Sequence, residues 1–169
     1  MNIATSRLNK ELRDSAKLKD DIELRLRDSQ NIFKWVAKLK GPPDTPYQEG
    51  TFSVNVDVPE DYPISPPKCT FITKIFHPNI HFTTGEICLE LFNKSKWIPA
   101  WTIESVCKAI LDLLRNPNAE SPLNCDCGKK GIKKGNLIRA NDFIGYRSLA
   151  RMYTIEHATN YNTEKKTKY

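Results

Sequence analysis

The chain has no apolar run long enough to cross a bilayer, so no membrane-spanning helix is expected. No charged-then-apolar leader opens it, and a secreted destination is not expected. Histidine is scarce, at three residues. Five cysteines form no metal-ligand pattern: Cys125 and Cys127 make a lone Cys-x-Cys, with no second pair at zinc spacing. No metal and no other cofactor is therefore expected. An odd cysteine count without a secretion signal fits a reducing compartment. There are no internal repeats. The net charge of +6 comes largely from Lys129–Lys134 and the Lys165–Lys168 tail. Charge clustered in this way reads as solvated segments. A nucleic-acid binder would want aromatic and basic residues interleaved on one sheet face; the strand-like stretches show buried-type alternation instead, so no nucleic-acid partner is expected.

What is present suits one domain of 169 residues with a real core, taken here as residues 1–161 followed by a polar basic tail, 162–169. Thr5 or Ser6 is expected to cap a helix running to about Lys19, with Leu8, Leu12 and Ala16 on one face. Ile22, Leu24 and Leu26 alternate with charged residues, as do Phe33, Trp35, Ala37 and Leu39. Phe52, Val54, Val56 and Val58 give the cleanest alternation, and Lys68–Thr73 reads as a fourth strand. Short connections favour an antiparallel meander. Prolines then break up the region from Tyr62 to Ala100 into ordered loop. Thr102 can cap a helix carrying Ile103, Val106, Cys107, Ile110, Leu113 and Leu114, which Pro117 ends. A last helix, from about Asn141 to Tyr161, carries the stripe Phe143, Tyr146, Ala150, Tyr153 and His157, read as core packing. Strands followed by helices imply an α+β fold. Cys69 and Cys107 read as small core residues.

Chemistry concentrates between His77 and Trp101, HPNIHFTTGEICLELFNKSKWIPAW. Cys88 follows a Thr-Thr-Gly-Glu turn and a His-Pro-Asn triplet. A thiol needs exposure and a neighbour that stabilises the charge formed in attack, and Asn79 can supply an amide donor. If the loop folds back so that the two meet, the pair forms an acyl-transfer site.

Several motifs occur in one order: KEL at Lys10–Leu12, GPPDTPYQEG at Gly41–Gly50, DYPISPPK at Asp61–Lys68, HPNI at His77–Ile80, GEICLEL at Gly85–Leu91, WIPAWT at Trp97–Thr102 and PN…SPLN at Pro117–Asn124. Together they resemble the ubiquitin-conjugating enzymes over about Arg7 to Tyr153. The resemblance implies an N-terminal helix, a four-stranded antiparallel sheet, an active-site loop and C-terminal helices. Asn79 to Cys88 is nine steps, and so is Cys88 to Trp97, each one longer than the usual family spacing. The first extension, the wording HFTTGEIC, Trp101, SPLNCDCG and GNLIRANDF are similar to the peroxisomal, plant-type peroxin subfamily. The lysine-rich Lys129–Gly135 departs from that pattern and leaves the docking of the last helices open.

The resemblance implies that Cys88 takes ubiquitin from an activating enzyme as a thioester and passes it to an amine or thiol. Asn79 would stabilise the oxyanion, worth about 2.7–4 kcal/mol for one such donor, or hold the loop that does. His77 would brace the loop. Ser121 would gate the cleft, lined by Tyr62 and Leu123. A phosphate on Ser121 would add negative charge there. Arg7 and Lys10 match the activating-enzyme contact, and Ile64, Pro99 and Ala100 match the loops that dock RING-type ligases. A peroxisomal membrane anchor protein would recruit a cytoplasmic enzyme to the organelle's cytosolic face, with an import receptor as substrate. Two rivals are a conjugating enzyme for a ubiquitin-like modifier and a non-catalytic ubiquitin-positioning variant. Cys88 and the intact His-Pro-Asn argue against the second.

Overall fold

The computed structural model describes residues 2–18, 20–118 and 142–159. Helix α1 spans Ile3–Ser15 and is capped by Asn2, whose Oδ1 accepts from Thr5 N at 2.8 Å. The cap expected at Thr5 or Ser6 therefore lies inside the helix. Asn serves as well as Ser or Thr at this position, and Ala4, buried one turn before Leu8, already belongs to the packed face. Glu11 is the third buried residue of α1, whereas Leu12 is half-exposed.

Four strands follow: β1 (Ile22–Leu26), β2 (Lys34–Lys40), β3 (Thr51–Asp57) and β4 (Lys68–Phe71). They pair antiparallel in sequence order, the expected meander. Register places Leu24 opposite Ala37, Ala37 opposite Val54, and Val54 opposite Phe71. Residues two apart share a face, so Trp35, Ala37, Leu39, Phe52, Val54, Val56, Cys69 and Phe71 all bury on one side. β4 stops short of Thr73 because its regular pairing with β3 gives way there to two residues facing one, as in a bulge. The amides of Ile72 and Thr73 both donate to Ser53 O, at 2.8 and 3.3 Å, and Thr73 Oγ1 accepts from Ser53 N.

Helix α2 (Ile103–Arg115) lies against this face. Thr102 caps it, as expected, through a reciprocal box with Ser105. Its buried set includes Cys107 and adds Leu111 to the anticipated residues. Helix α3 (Phe143–Ala158) is capped by Asp142, which accepts from Gly145 N at 2.8 Å. It buries Tyr146, Ala150, Thr154 and Ala158. Phe143, expected in the stripe, is exposed on the first turn, while Tyr153 and His157 are half-buried. A 3-10 turn at Glu90–Phe92, not foreseen from the prolines, follows Cys88. Among the described residues no helix is long and apolar enough to cross a membrane.

Candidate active site

His77, Pro78 and Asn79 form a buried turn beneath the loop that carries Cys88. The His77 ring is fully buried and bridges two elements. Nδ1 accepts from Asn79 N at 3.0 Å, and Nε2 lies 2.9 Å from Leu113 O near the end of α2. A ring nitrogen that accepts an amide proton carries none itself, so Nε2 holds the hydrogen and donates it to Leu113. A neutral imidazole with both nitrogens engaged ties the turn to α2.

The chain then doubles back. Ile80 bridges to Ile87, and Cys88 N donates to Asn79 O at 2.8 Å. The fold-back required of an acyl-transfer site is present in the backbone. Between those points His81 N donates to Glu86 O, Gly85 N donates to His81 O, and Gly85 O accepts from Phe71 N of β4. Gly85 has φ +72°, and a Cβ there would run into the Phe71 carbonyl. Glycine is therefore required where the turn meets the sheet edge. The loop is fastened to β4 on one side and to the His77 turn on the other.

The Asn79 carboxamide is buried and held by a residue the sequence did not single out. Nδ2 donates to Asn118 O at 2.7 Å, and Oδ1 accepts from Asn118 N at 2.8 Å. The only sequence signal for Asn118 was its place in the Pro117-Asn118 part of the shared motif. Cys88 is half-buried, whereas Cys69 and Cys107 are fully buried. Burial pushes both of those thiols up, Cys107 to about 12 with help from Glu104, and Cys69 well above its ordinary value, with Cys107 and Asp57 adding to it. Of these three, only Cys88 stands where an acyl donor can reach it. Among the described residues no group of three or more His, Cys, Asp or Glu could hold a metal ion.

Tyr62, expected in the cleft, is 1% exposed. Its hydroxyl donates to Glu11 Oε1 at 2.7 Å, and its ring tilts against Trp97. Burial first, then Glu11, pushes the phenol pKa well up. Glu11 also accepts from Arg7 Nε and from Ile103 N at the start of α2, both at 2.8 Å. Arg7 extends across to the carbonyls of Pro99, Ala100 and Trp101 at 3.3, 3.5 and 3.1 Å. It thus ties α1 to one of the two candidate ligase loops rather than lying on a purely solvated face. Lys10 is exposed. Ile64 is 74% exposed, and Pro99 and Ala100 are exposed as well. Trp97 Nε1 donates to Pro63 O at 2.7 Å and so links the two loops. Ile98, 47% exposed, extends the apolar patch and was not anticipated. Ser121, Leu123, Cys125, Cys127, Lys129–Gly135 and the tail lie outside the described residues.

A family model described as ubiquitin-conjugating enzyme matches residues 7–140, and the chain belongs to that family. Among curated relatives it is 49% identical to Protein PEROXIN-4 of Arabidopsis thaliana, over 91% of this chain and 94% of that one. It is 54% identical to the ubiquitin-conjugating enzyme E2 pex4 of Dictyostelium discoideum, over 80% and 85%. A solved ubiquitin-conjugating E2 domain from Toxoplasma gondii superposes with a TM-score of 0.81 at 32% identity, covering 92% of this chain and 99% of that one. The fold, the family and the likeness to peroxin-type relatives are those expected from the motifs.

Proposed function

We propose that Cys88 is the thioester-forming cysteine of a ubiquitin-conjugating enzyme that works at the peroxisome. The observation that carries this is the setting of Cys88. It is a half-buried thiol on a loop whose backbone is locked to Asn79, while Cys69 and Cys107 are sealed in the core.

In the first step the Cys88 thiolate attacks the carbonyl of the ubiquitin C-terminus carried by the activating enzyme. A new C–S bond forms and the activating enzyme's thiolate leaves. In the second step a substrate amine attacks that carbonyl, loses its proton, and Cys88 leaves as thiolate. Both steps pass through a tetrahedral oxyanion, which a preorganised amide can stabilise. Asn79 serves here by holding the turn through Asn118 and by presenting its carboxamide at the loop. Arg7 and Lys10 meet the activating enzyme, and Ile64, Pro99 and Ala100, with Ile98, meet a RING-type ligase. The peroxin names of its relatives support a role at the peroxisome, where an import receptor would be the substrate and a membrane anchor protein the recruiter.

The test is charging with activating enzyme, ATP and ubiquitin, read on non-reducing gels. A thiol-sensitive adduct is expected, and Cys88→Ser is expected to give only a thiol-resistant ester or nothing. An adduct that persists unchanged in Cys88→Ala refutes the assignment. Receptor ubiquitination after depletion in cells tests the peroxisomal role, and unaltered modification would count against it.

A further inference from the structure

A chain of buried hydroxyls joins the last helix to the turn under the active site. Tyr47 OH donates to Phe76 O at 2.8 Å and lies 2.6 Å from Tyr146 OH. A phenol has one hydrogen. Since that of Tyr47 goes to Phe76, Tyr146 is the donor to Tyr47. The bonds therefore run in one direction, from Tyr146 on α3, through Tyr47, to the carbonyl of the peptide that begins His77.

Both tyrosines are buried. Burying a hydroxyl is unfavourable unless it is hydrogen-bonded, and a Phe pair would fill the same volume without that requirement. The rings already pack: Tyr47 tilts against His77 with centroids 5.8 Å apart, and Tyr146 tilts against Phe76 at 6.2 Å. What the hydroxyls add is direction. They fix the orientation of the Phe76–His77 peptide, His77 fixes Asn79 N, and Asn79 O fixes Cys88 N. Donors in series polarise one another, so the terminal Tyr146 O–H strengthens the bond from Tyr47 to Phe76.

We propose that Tyr146, acting through Tyr47, is a positioning residue for the turn that carries Asn79 and backs Cys88. The last helix thereby sets the geometry of acyl transfer without touching the reacting atoms. This rests on Cys88 being the acceptor.

The experiment is single-turnover discharge of the purified thioester of the full chain onto free lysine. Rates are taken on the thioester actually formed, so differences in charging drop out. Tyr146→Phe is expected to slow discharge roughly three- to tenfold, the equivalent of one hydrogen bond. It should also shift the 15N–1H resonances of the Asn79 side-chain amide and the 15N resonances of the His77 ring. Tyr47→Phe should slow discharge at least as much, and the double variant no more than Tyr47→Phe alone, because the two act in series. Tyr153→Phe removes a hydroxyl from the same aromatic cluster, beside Phe76, but none from the chain of bonds, and should match the parent. Parent-like discharge in Tyr146→Phe overturns the proposal, and so does a double variant whose loss is the product of the two single losses. If the parent forms no thioester on Cys88, the functional reading falls. The Asn79 and His77 resonances then decide the relay alone, and unshifted signals in Tyr146→Phe refute it.

Discussion

Asn79 and Asn118 clasp each other, side chain to backbone. The Asn79 carboxamide donates to Asn118 O at 2.7 Å and accepts from Asn118 N at 2.8 Å, closing a ring between positions that flank all of α2. The clasp joins the His77 turn to the segment that leaves the helix. One carboxamide thus engages both backbone polar groups of Asn118.

Replacing Asn79 separates the clasp from charge stabilisation. Asn79→Ala loses both bonds and should cost about 1–3 kcal/mol, the penalty for leaving partly buried groups unpaired. Asn79→Asp keeps an acceptor for Asn118 N but sets a carboxylate oxygen against Asn118 O, so its stability should fall between parent and Ala. If the carboxamide also stabilises the oxyanion, Asp should discharge as slowly as Ala despite the smaller stability loss. Urea unfolding and discharge onto free lysine, measured on both variants, check this. Discharge rates that track stability would reduce Asn79 to a clasp.

Glu11 is a second hub, and its removal should be expensive. It accepts from Arg7, Tyr62 and Ile103 N, so one carboxylate joins α1, the Tyr62 loop and the start of α2. It also places negative charge at the positive end of α2. Glu11→Ala leaves the buried Tyr62 hydroxyl with only the long contact to Trp101 O at 3.4 Å and removes the acceptor of a helix N-terminal amide, and is expected to cost about 1–3 kcal/mol for each group left unsatisfied. Glu11→Gln, which keeps an acceptor oxygen, should cost less than half as much. Denaturant midpoints at constant m-value test the order.

The sheet was legible because one face of it carries the core and period-two alternation survives in the residues themselves, most cleanly in β3; β2 also buries Val36 on its other face. α2 was legible for a similar reason: its cap, Thr102, and seven buried residues all point the same way. α1 was harder. One of its three buried residues is Glu11, so its packed face does not read as apolar, and the cap fell on Asn2 rather than Thr5. Within the site, the loop order from His77 to Cys88 was readable, but its fastenings were not. Asn118 lies 39 positions from Asn79, and Tyr146 lies 99 from Tyr47. Pairings at such separation are set by how the layers stack, and no local pattern encodes them. Tyr62 was ambiguous, because a tyrosine beside prolines reads equally well as lining or as core, and its bond to Glu11, 51 positions away, leaves no local pattern.

Alkylation should distinguish the thiols. Burial holds Cys69 and Cys107 protonated far above neutral pH and also keeps reagent away. Iodoacetamide at pH 8 is expected to label Cys88 in the native protein and to leave Cys69 and Cys107 unlabelled until urea is added. Peptide mass spectrometry resolves the three sites. Native labelling of Cys107 at a rate like that of Cys88 would contradict the packed α2 interface.

Alkaline pH should destabilise the fold. Burial raises Tyr146 from 10.0 and Cys107 from 9.0, each to about 12. Above pH 9 the unfolded chain releases protons that the folded chain retains, so the unfolded state is favoured. The contribution of these groups is complete below about pH 9 and is lost as pH rises towards 12. Urea midpoints should fall from pH 8 to pH 11, and fall less steeply in Tyr146→Phe, which has no phenol to ionise. A midpoint that is flat or rising over that range would be inconsistent with the buried phenol and thiol.

Gly85 offers the sharpest test of how the Cys88 loop is held. Its φ of +72° is one that side chains rarely adopt, and a Cβ would collide with the backbone carbonyl of Phe71, which has no room to yield inside β4. Gly85→Ala therefore meets two penalties: about 1–2 kcal/mol for the left-handed conformation and a further steric cost. Relief requires the turn to lift off the sheet edge. That would break the bond from Phe71 N to Gly85 O and loosen the Thr70–Glu86 bridge two residues before Cys88. The variant should stay folded around its core yet exchange the amides of Phe71 and Cys88 much faster than the parent, with thioester discharge slowed in step. Hydrogen exchange read beside single-turnover kinetics checks both. Parent-like protection at Phe71 in Gly85→Ala would mean that the turn is not fastened to the sheet as described.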